Sequence, residues 1–172
     1  FDKLNIPADS ELRRAVPIMN PLTDEYPLVR TTLLSSIFEN VTRNLSRKNE
    51  DIQLFEVAPV FMPKELPVTE QPLQTLKLAG AMLGRRDVVG WNQKNEQLDF
   101  YDAKGVVEEL LAQLAIGKYT VDAGEHYAMH PGKTAFFKKG REVIAAVGEV
   151  HPAVLAAFGI TKKMYVFEMD VA

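Results

Sequence analysis

The chain contains no cysteine. Disulfides, thiolate metal sites and a thiol nucleophile are therefore excluded, an absence that fits a cytoplasmic setting. No apolar run approaches the roughly 20 residues of a membrane span, and the N-terminus has no signal-peptide pattern. Basic clusters are missing as well. The net charge is -3 and the lysines and arginines are scattered along the 172 residues, whereas a domain that grips a nucleic-acid backbone usually carries a basic patch. There is no internal repeat and no low-complexity tract. The first residue is Phe1 rather than Met, so the sequence reads as a fragment of something longer.

What is present is an ordinary globular composition, 47% hydrophobic and 25% charged, in a length that favours one domain over residues 1–172. Residues 1–15 are polar and mixed in charge, and read as a solvated lead-in. Ala15 to Met19 has the character of a short strand. Pro21 and Pro27 push the residues before them toward extended geometry, so Asn20 to Tyr26 is not expected to be helical. From there the organisation centres on one amphipathic stretch. Leu33, Leu34, Ile37, Phe38, Val41 and Leu45 recur at spacings of three and four, which predicts a helix over 31–46. Thr31 or Thr32 is placed to cap it, and Arg47 and Lys48 suit the negative end of its dipole.

A strand is expected from Ile52 to Phe61, interrupted by Glu56 among apolar neighbours and blunted at Pro59. A second follows at Leu73 to Leu83, with Ala79-Gly80 leaving room for close packing. Polar connections separate these, the second carrying the only tryptophan, Trp91. Asp102 is placed to cap a helix over Ala103 to Leu114, with Gly117 ending it. Tyr119 to Asp122, Thr134 to Lys138 and Val143 to Val150 read as strands, the last two a hairpin about Gly140. Pro152 opens a short helix, and Met164 to Val171 is a final strand. Without regular βαβ alternation the expectation is α+β, an antiparallel sheet of about six strands flanked by helices.

Candidate chemistry is sparse. His126 and His130 stand four apart, but Pro131 and Gly132 follow at once and no third metal ligand is evident. Gly132-Lys133-Thr134 resembles the tail of a phosphate loop, yet Tyr127 occupies the position of its first glycine and a strand follows instead of a helix. Ser10, Ser35, Ser36 and Ser46 include none on a strained, glycine-flanked turn. Glu56 and Glu168 could form a carboxylate pair, although strand carboxylates are more often partners of a neighbouring arginine. No constellation recommends catalysis by this chain alone.

Several segments, in order, resemble the β subunit of bacterial phenylalanyl-tRNA synthetase: Asn20-Pro21-Leu22-Thr23 with Glu25-Tyr26, Arg30-Thr31-Thr32-Leu33-Leu34, Arg43-Asn44 to Arg47, and Asn49-Glu50-Asp51. Leu54-Phe55-Glu56-Val57, Asp99-Phe100-Tyr101-Asp102 with Lys104-Gly105, His130 to Ala135, Val147 to Pro152 and Tyr165-Val166-Phe167-Glu168 continue the likeness. Ser35-Ser36 and Ala58-Pro59 depart from the family's pattern.

The resemblance implies a class II synthetase-like fold without its active site. The helix segment would correspond to the motif of subunit pairing, the Leu54 strand to motif 2 and the last strand to motif 3. Class II enzymes hold ATP phosphates with arginines in the latter two motifs, since a fixed guanidinium stabilises a transferring anion. Here Phe55 is followed by Glu56, and Met164 to Ala172 contains no arginine.

The implied role is therefore non-catalytic: a domain assembling with the catalytic α subunit in a heterotetramer of two α and two β chains. The parent ligase would use ATP and magnesium to join phenylalanine to its tRNA in the cytoplasm. Candidate interface or motif residues are Pro21, Arg30, Leu33, Leu34, Ile37, Phe38, Val41, Arg43, Arg47 and Glu56; no catalytic, cofactor or metal ligand is assigned. The alternative is a degenerate domain that still binds ATP, amino acid or tRNA.

Overall fold

A computed structural model describes residues 1–23, 27–87, 90–92 and 95–171; Glu25 and Tyr26 of the resemblance lie outside them. Six strands form one antiparallel sheet: β1 (Ile52–Met62), β2 (Leu73–Leu83), β3 (Thr120–Ala123), β4 (Met129–Lys139), β5 (Glu142–Val150) and β6 (Met164–Asp170). Their spatial order is β1-β2-β6-β5-β4-β3, so the last strand of the sequence is central. Helix α1 (Leu34–Ser46) lies across β1 and β2 on one face, and α2 (Phe100–Gln113) lies across β5 and β6 on the other. The short α3 (Pro152–Ala157) carries a proline in its first turn, as the sequence suggests.

Alternation along the strands divides the core in two. Ile52, Ala58 and Val60 of β1, Ala79, Ala81 and Leu83 of β2, and Met164 and Val166 of β6 pack against Leu34, Ile37, Phe38 and Val41 of α1. Met82, Ala145, Val147, Tyr165, Phe167 and Met169 meet Ala103, Val107 and Leu111 of α2 on the opposite face. Phe38 stacks on Phe158 with ring centroids 5.0 Å apart. Gly80 explains itself on the α2 face: a Cβ built there would stand 2.5 Å from the Phe167 ring. The close packing expected at Ala79-Gly80 is an aromatic ring lying on bare backbone.

Several local expectations are corrected. The first 15 residues are not a solvated lead-in, because Leu4, Ile6 and Ala15 are buried. Arg13 Nε and Nη2 donate to the Ile6 carbonyl at 3.0 and 2.7 Å, folding the segment on itself. Among the described residues the Ala15–Met19 stretch forms no strand but an isolated bridge, Pro17 to Leu28. Helix α1 begins at Leu34 with Leu33 at its N-cap position, and of the two threonines expected to cap it Thr32 does so, its hydroxyl oxygen accepting from the Leu34 N–H at 3.2 Å. Helix α2 is capped by Asp99, with Asp102 completing the reciprocal capping box. At its end the left-handed residue is Ala115, not Gly117. Strand β4 starts five residues early, at Met129, because a register shift between Met129 and Thr134 absorbs Pro131 and Gly132.

Replacing Gly80 by valine should force the Phe167 ring off the sheet. We expect a loss of about 1–3 kcal/mol in urea unfolding, with an unchanged m-value; a neutral substitution would show that the ring is not held there.

Candidate functional site

Across the α1 face runs a row of facing residues, Glu56 on β1, Ala79 on β2 and Glu168 on β6. The two carboxylates are two strands apart, about 9–10 Å at ordinary strand spacing, and they flank the N-terminus of α1. They are not a pair sharing a proton, because each has its own cation. Glu56 accepts from Arg30 Nη1 at 2.6 Å and from the Ser36 hydroxyl at 2.7 Å. Arg30 also donates from Nε to the Pro59 carbonyl, 3.0 Å away, so it bridges the approach segment to β1.

Glu168 is the more deeply placed, its side chain 10% exposed. Its Oε1 accepts from the Thr32 hydroxyl at 2.8 Å and from the Leu33 backbone N–H at 2.9 Å, and its Oε2 lies 3.4 Å from Lys77 Nζ. Thr32 Oγ1 in turn accepts from the Leu34 N–H at 3.2 Å and from the Tyr127 hydroxyl at 3.3 Å. A carboxylate at a helix N-terminus satisfies donors that the helix leaves open and meets the positive end of its dipole. Glu168 and Thr32 thus share the start of α1, the threonine accepting its first N–H and the carboxylate the one before it.

The surrounding groups titrate accordingly. Burial works against the charged form of Lys77, but Glu168 and Asp170, the latter 3.0 Å away, prevail and raise its pKa. Burial raises the Tyr127 hydroxyl, and the Glu168 charge adds to it. Burial, reinforced by the Lys77 charge, lowers His126 from 6.5 to about 4. Neutral His126 lies against Tyr127, the rings tilted by 32° with centroids 4.1 Å apart, and its Nδ1 accepts from the Ala128 N–H at 3.2 Å. His130 lies apart from it, near His151. Among the described residues no group of three or more histidines or carboxylates could hold a metal.

Most residues singled out in the sequence are placed by this arrangement. Leu33, Leu34, Ile37, Phe38 and Val41 are fully buried in the chain's own core, so they form no free helix face. Arg30 and Glu56 are joined to each other. Arg43 and Arg47 project from the exposed side of the C-terminal half of α1, and Pro21 is half-buried in the approach segment. The Thr32–Glu168 tie was missed, its partners lying 136 residues apart in sequence. Lys77, a lone charge within an apolar strand, was the signal that could have pointed to it.

Clefts lie beside both ends of α1 and beside His126. One of about 700 Å³ runs beside the first half of α1, lined by Ile18, Leu28, Arg30, Thr31, Ser35 and Phe158 among others. A polar one of about 590 Å³ lies at the turn into β1, and a third of about 260 Å³ adjoins His126 and His151. None is lined by a β6 residue. Tyr165, Phe167 and Met169 on one face of β6, and Met164 and Val166 on the other, are all buried.

A family model described as the phenylalanyl tRNA synthetase beta chain CLM domain matches residues 1–171. The chain belongs to this family. It is 41% identical over 172 residues to the phenylalanine–tRNA ligase beta subunit of Syntrophotalea carbinolica, a match covering 99% of this chain and 21% of that protein. The same subunit of Geobacter metallireducens is 39% identical, with the same coverage. The chain thus spans about a fifth of the length of these curated relatives. Among solved structures, a pyrrolysyl tRNA synthetase of Desulfitobacterium hafniense superposes with a TM-score of 0.59 at 14% identity, over 84% of this chain and 48% of that one. The fold is that of a class II aminoacyl-tRNA synthetase.

The pKa of His126 gives a pH dependence with a defined sign. Its folded value lies below its unfolded one, so the unfolded state binds more protons between about pH 6.5 and 4. Stability is complete above that window and falls as pH drops through it, by roughly 1–3 kcal/mol for a ring that keeps some exposure. Urea unfolding at pH 7 and pH 4.5 checks this: His126→Asn should flatten that part of the profile, and an unchanged slope would remove His126 as its source.

Proposed function

We propose that this chain is the non-catalytic, class II-like domain of a phenylalanyl-tRNA synthetase β subunit and that it serves assembly with the catalytic α subunit. The observation that carries the reading is the state of β6, the strand where such an enzyme would hold ATP. Both its faces are buried by apolar side chains, and its one half-buried charge, Glu168, is consumed in anchoring α1. Neither β1 nor β6 contains an arginine.

The residues present do not fit a magnesium-bound ATP. Its phosphates would meet Glu56 and Glu168, which repel them, and those carboxylates are already held by Arg30, Ser36, Thr32 and Lys77. We assign ATP, magnesium and the joining of phenylalanine to tRNA to the parent cytoplasmic complex, a heterotetramer of two α and two β chains, with the chemistry on α. No helix among the described residues is long and apolar enough to cross a membrane.

The test mixes this chain with the α subunit at tens of micromolar, an ordinary range for a modest interface, and titrates it separately with ATP and magnesium. Co-elution on gel filtration and no heat of ATP binding are expected. Separate elution would remove the assembly role, and measurable ATP heat would favour a domain that retained a ligand site.

A further inference from the structure

All three histidines of the chain gather at one junction. His126 stands in the turn between β3 and β4, His130 near the start of β4 and His151 directly before α3. The rings of His130 and His151 have centroids 6.5 Å apart. His126 and His151 line one small cleft together with Asn5 of the N-terminal segment. Main-chain bonds close the same place: the His151 N–H donates to the Ala128 carbonyl at 2.9 Å, and the Met129 N–H to the His126 carbonyl at 3.1 Å.

Two of the rings hold the junction through a nitrogen that must carry no proton. His126 Nδ1 accepts from the Ala128 N–H at 3.2 Å, and His151 Nδ1 accepts from the Ala153 N–H at 3.1 Å as the N-cap of α3. Asn5 Nδ2 lies 3.4 Å from that same His151 nitrogen, so the N-terminal segment, with Leu4 and Ile6 buried, is tied to the start of α3. Serine, threonine, aspartate or asparagine usually takes an N-cap position, and near neutral pH each remains an acceptor. A histidine does so only while Nδ1 is bare; protonation turns it into a donor facing a donor.

We propose that this three-histidine junction is an acid-sensitive seam: proton uptake at His126 and His151 unfastens the β3–β4 turn, the first turn of α3 and the N-terminal segment as one unit, while the central sheet stays folded. The seam is internal to the chain and needs neither a partner nor a ligand, so it stands or falls apart from the assembly role.

The charged and titratable groups around the seam leave added protons without a strong partner. Burial, then the Lys77 charge from β2, hold His126 below the ordinary histidine range, at about 4. The open form therefore binds more protons than the closed one between about pH 6.5 and 4, and opening grows as pH falls through that window. From β4, His130 turns its Nδ1 to its own Pro131 carbonyl; once charged, it would repel a charged His151. Glu125, on the rim of the cleft, is exposed, so water screens its attraction for a charged ring. The Tyr127 hydroxyl, pushed up by burial, stays neutral. On β5, Glu149 is held by Lys133 at 2.8 Å. Lys3 of the N-terminal segment sits over the Phe158 ring, 5.7 Å from its centroid, and α3 itself contains no charged residue.

Amide hydrogen exchange followed by NMR reads the seam residue by residue. In the 172-residue chain, the opening constants of the Ala128 and Ala153 amides, corrected for the intrinsic pH dependence of exchange, should rise together by at least about fivefold from pH 7 to pH 5. At pH 5 the Val166 amide of the central strand β6 should remain at least about a hundredfold more protected, as a local opening requires. These readings need no variant. A smaller rise, a rise at one amide without the other, or a Val166 amide no better protected than the seam would each overturn the proposal. Asparagine accepts a hydrogen bond without titrating and caps a helix well. His126→Asn with His151→Asn should therefore cut the rise to below about twofold, and a rise retained in full would place its source in the carboxylates and overturn the proposal equally.

Discussion

The arrangement of this domain depends on a carboxylate buried at the start of a helix. Helix α1 supplies Leu34, Ile37, Phe38 and Val41 to the larger part of the core, and the Thr32 hydroxyl oxygen accepts its first N–H, that of Leu34. Glu168, reaching up from the central strand, accepts the Leu33 N–H and the Thr32 hydroxyl, and so holds that cap in place. A charge so deeply placed needs a partner to be tolerated, and Lys77 provides one from the adjacent strand. Helix start, central strand and second strand are thereby tied at one point, and Tyr127 adds a fourth element through Thr32.

The same tie bears on the proposed non-catalytic role. A sheet face that served as a ligand platform would keep its centre open and its charges free. Here α1 and α2 cover opposite faces of the central strands, and the charges on the α1 face are spent on structure. Glu56 fixes Arg30 and Ser36 in the way Glu168 fixes Thr32 and Lys77. The likeness to a pyrrolysyl tRNA synthetase at 14% identity describes a shared backbone arrangement, filled in this chain by different side-chain interactions.

The strands and the two long helices were legible in the sequence because their apolar periodicity is strong, and Gly80 was recognisable as a place of close approach. The errors have physical causes. The Thr32 cap of α1 was legible, but the Glu168 that holds Thr32 lies too far along the chain for a local pattern to reveal. The Asp99–Asp102 pair holds two candidate caps, and the choice between them depends on which backbone turns first. Pro131 and Gly132 suggest a loop, but a register shift lets β4 run through them. Residues 1–15 are polar on average, while Leu4 and Ile6 alone decide that the segment is buried. The long apolar helix face suggested a pairing surface, but its own sheet consumes it.

The account rests on Glu168 being a structural anchor and not the remnant of a ligand site. A double-mutant cycle of Thr32→Val and Glu168→Gln, read by urea unfolding at pH 7, measures that directly. The account predicts that Glu168→Gln is destabilising and that the two positions couple by about 1–2 kcal/mol. A coupling below about 0.3 kcal/mol, or a stabilising Glu168→Gln of the kind expected at a ligand site strained for function, would contradict it.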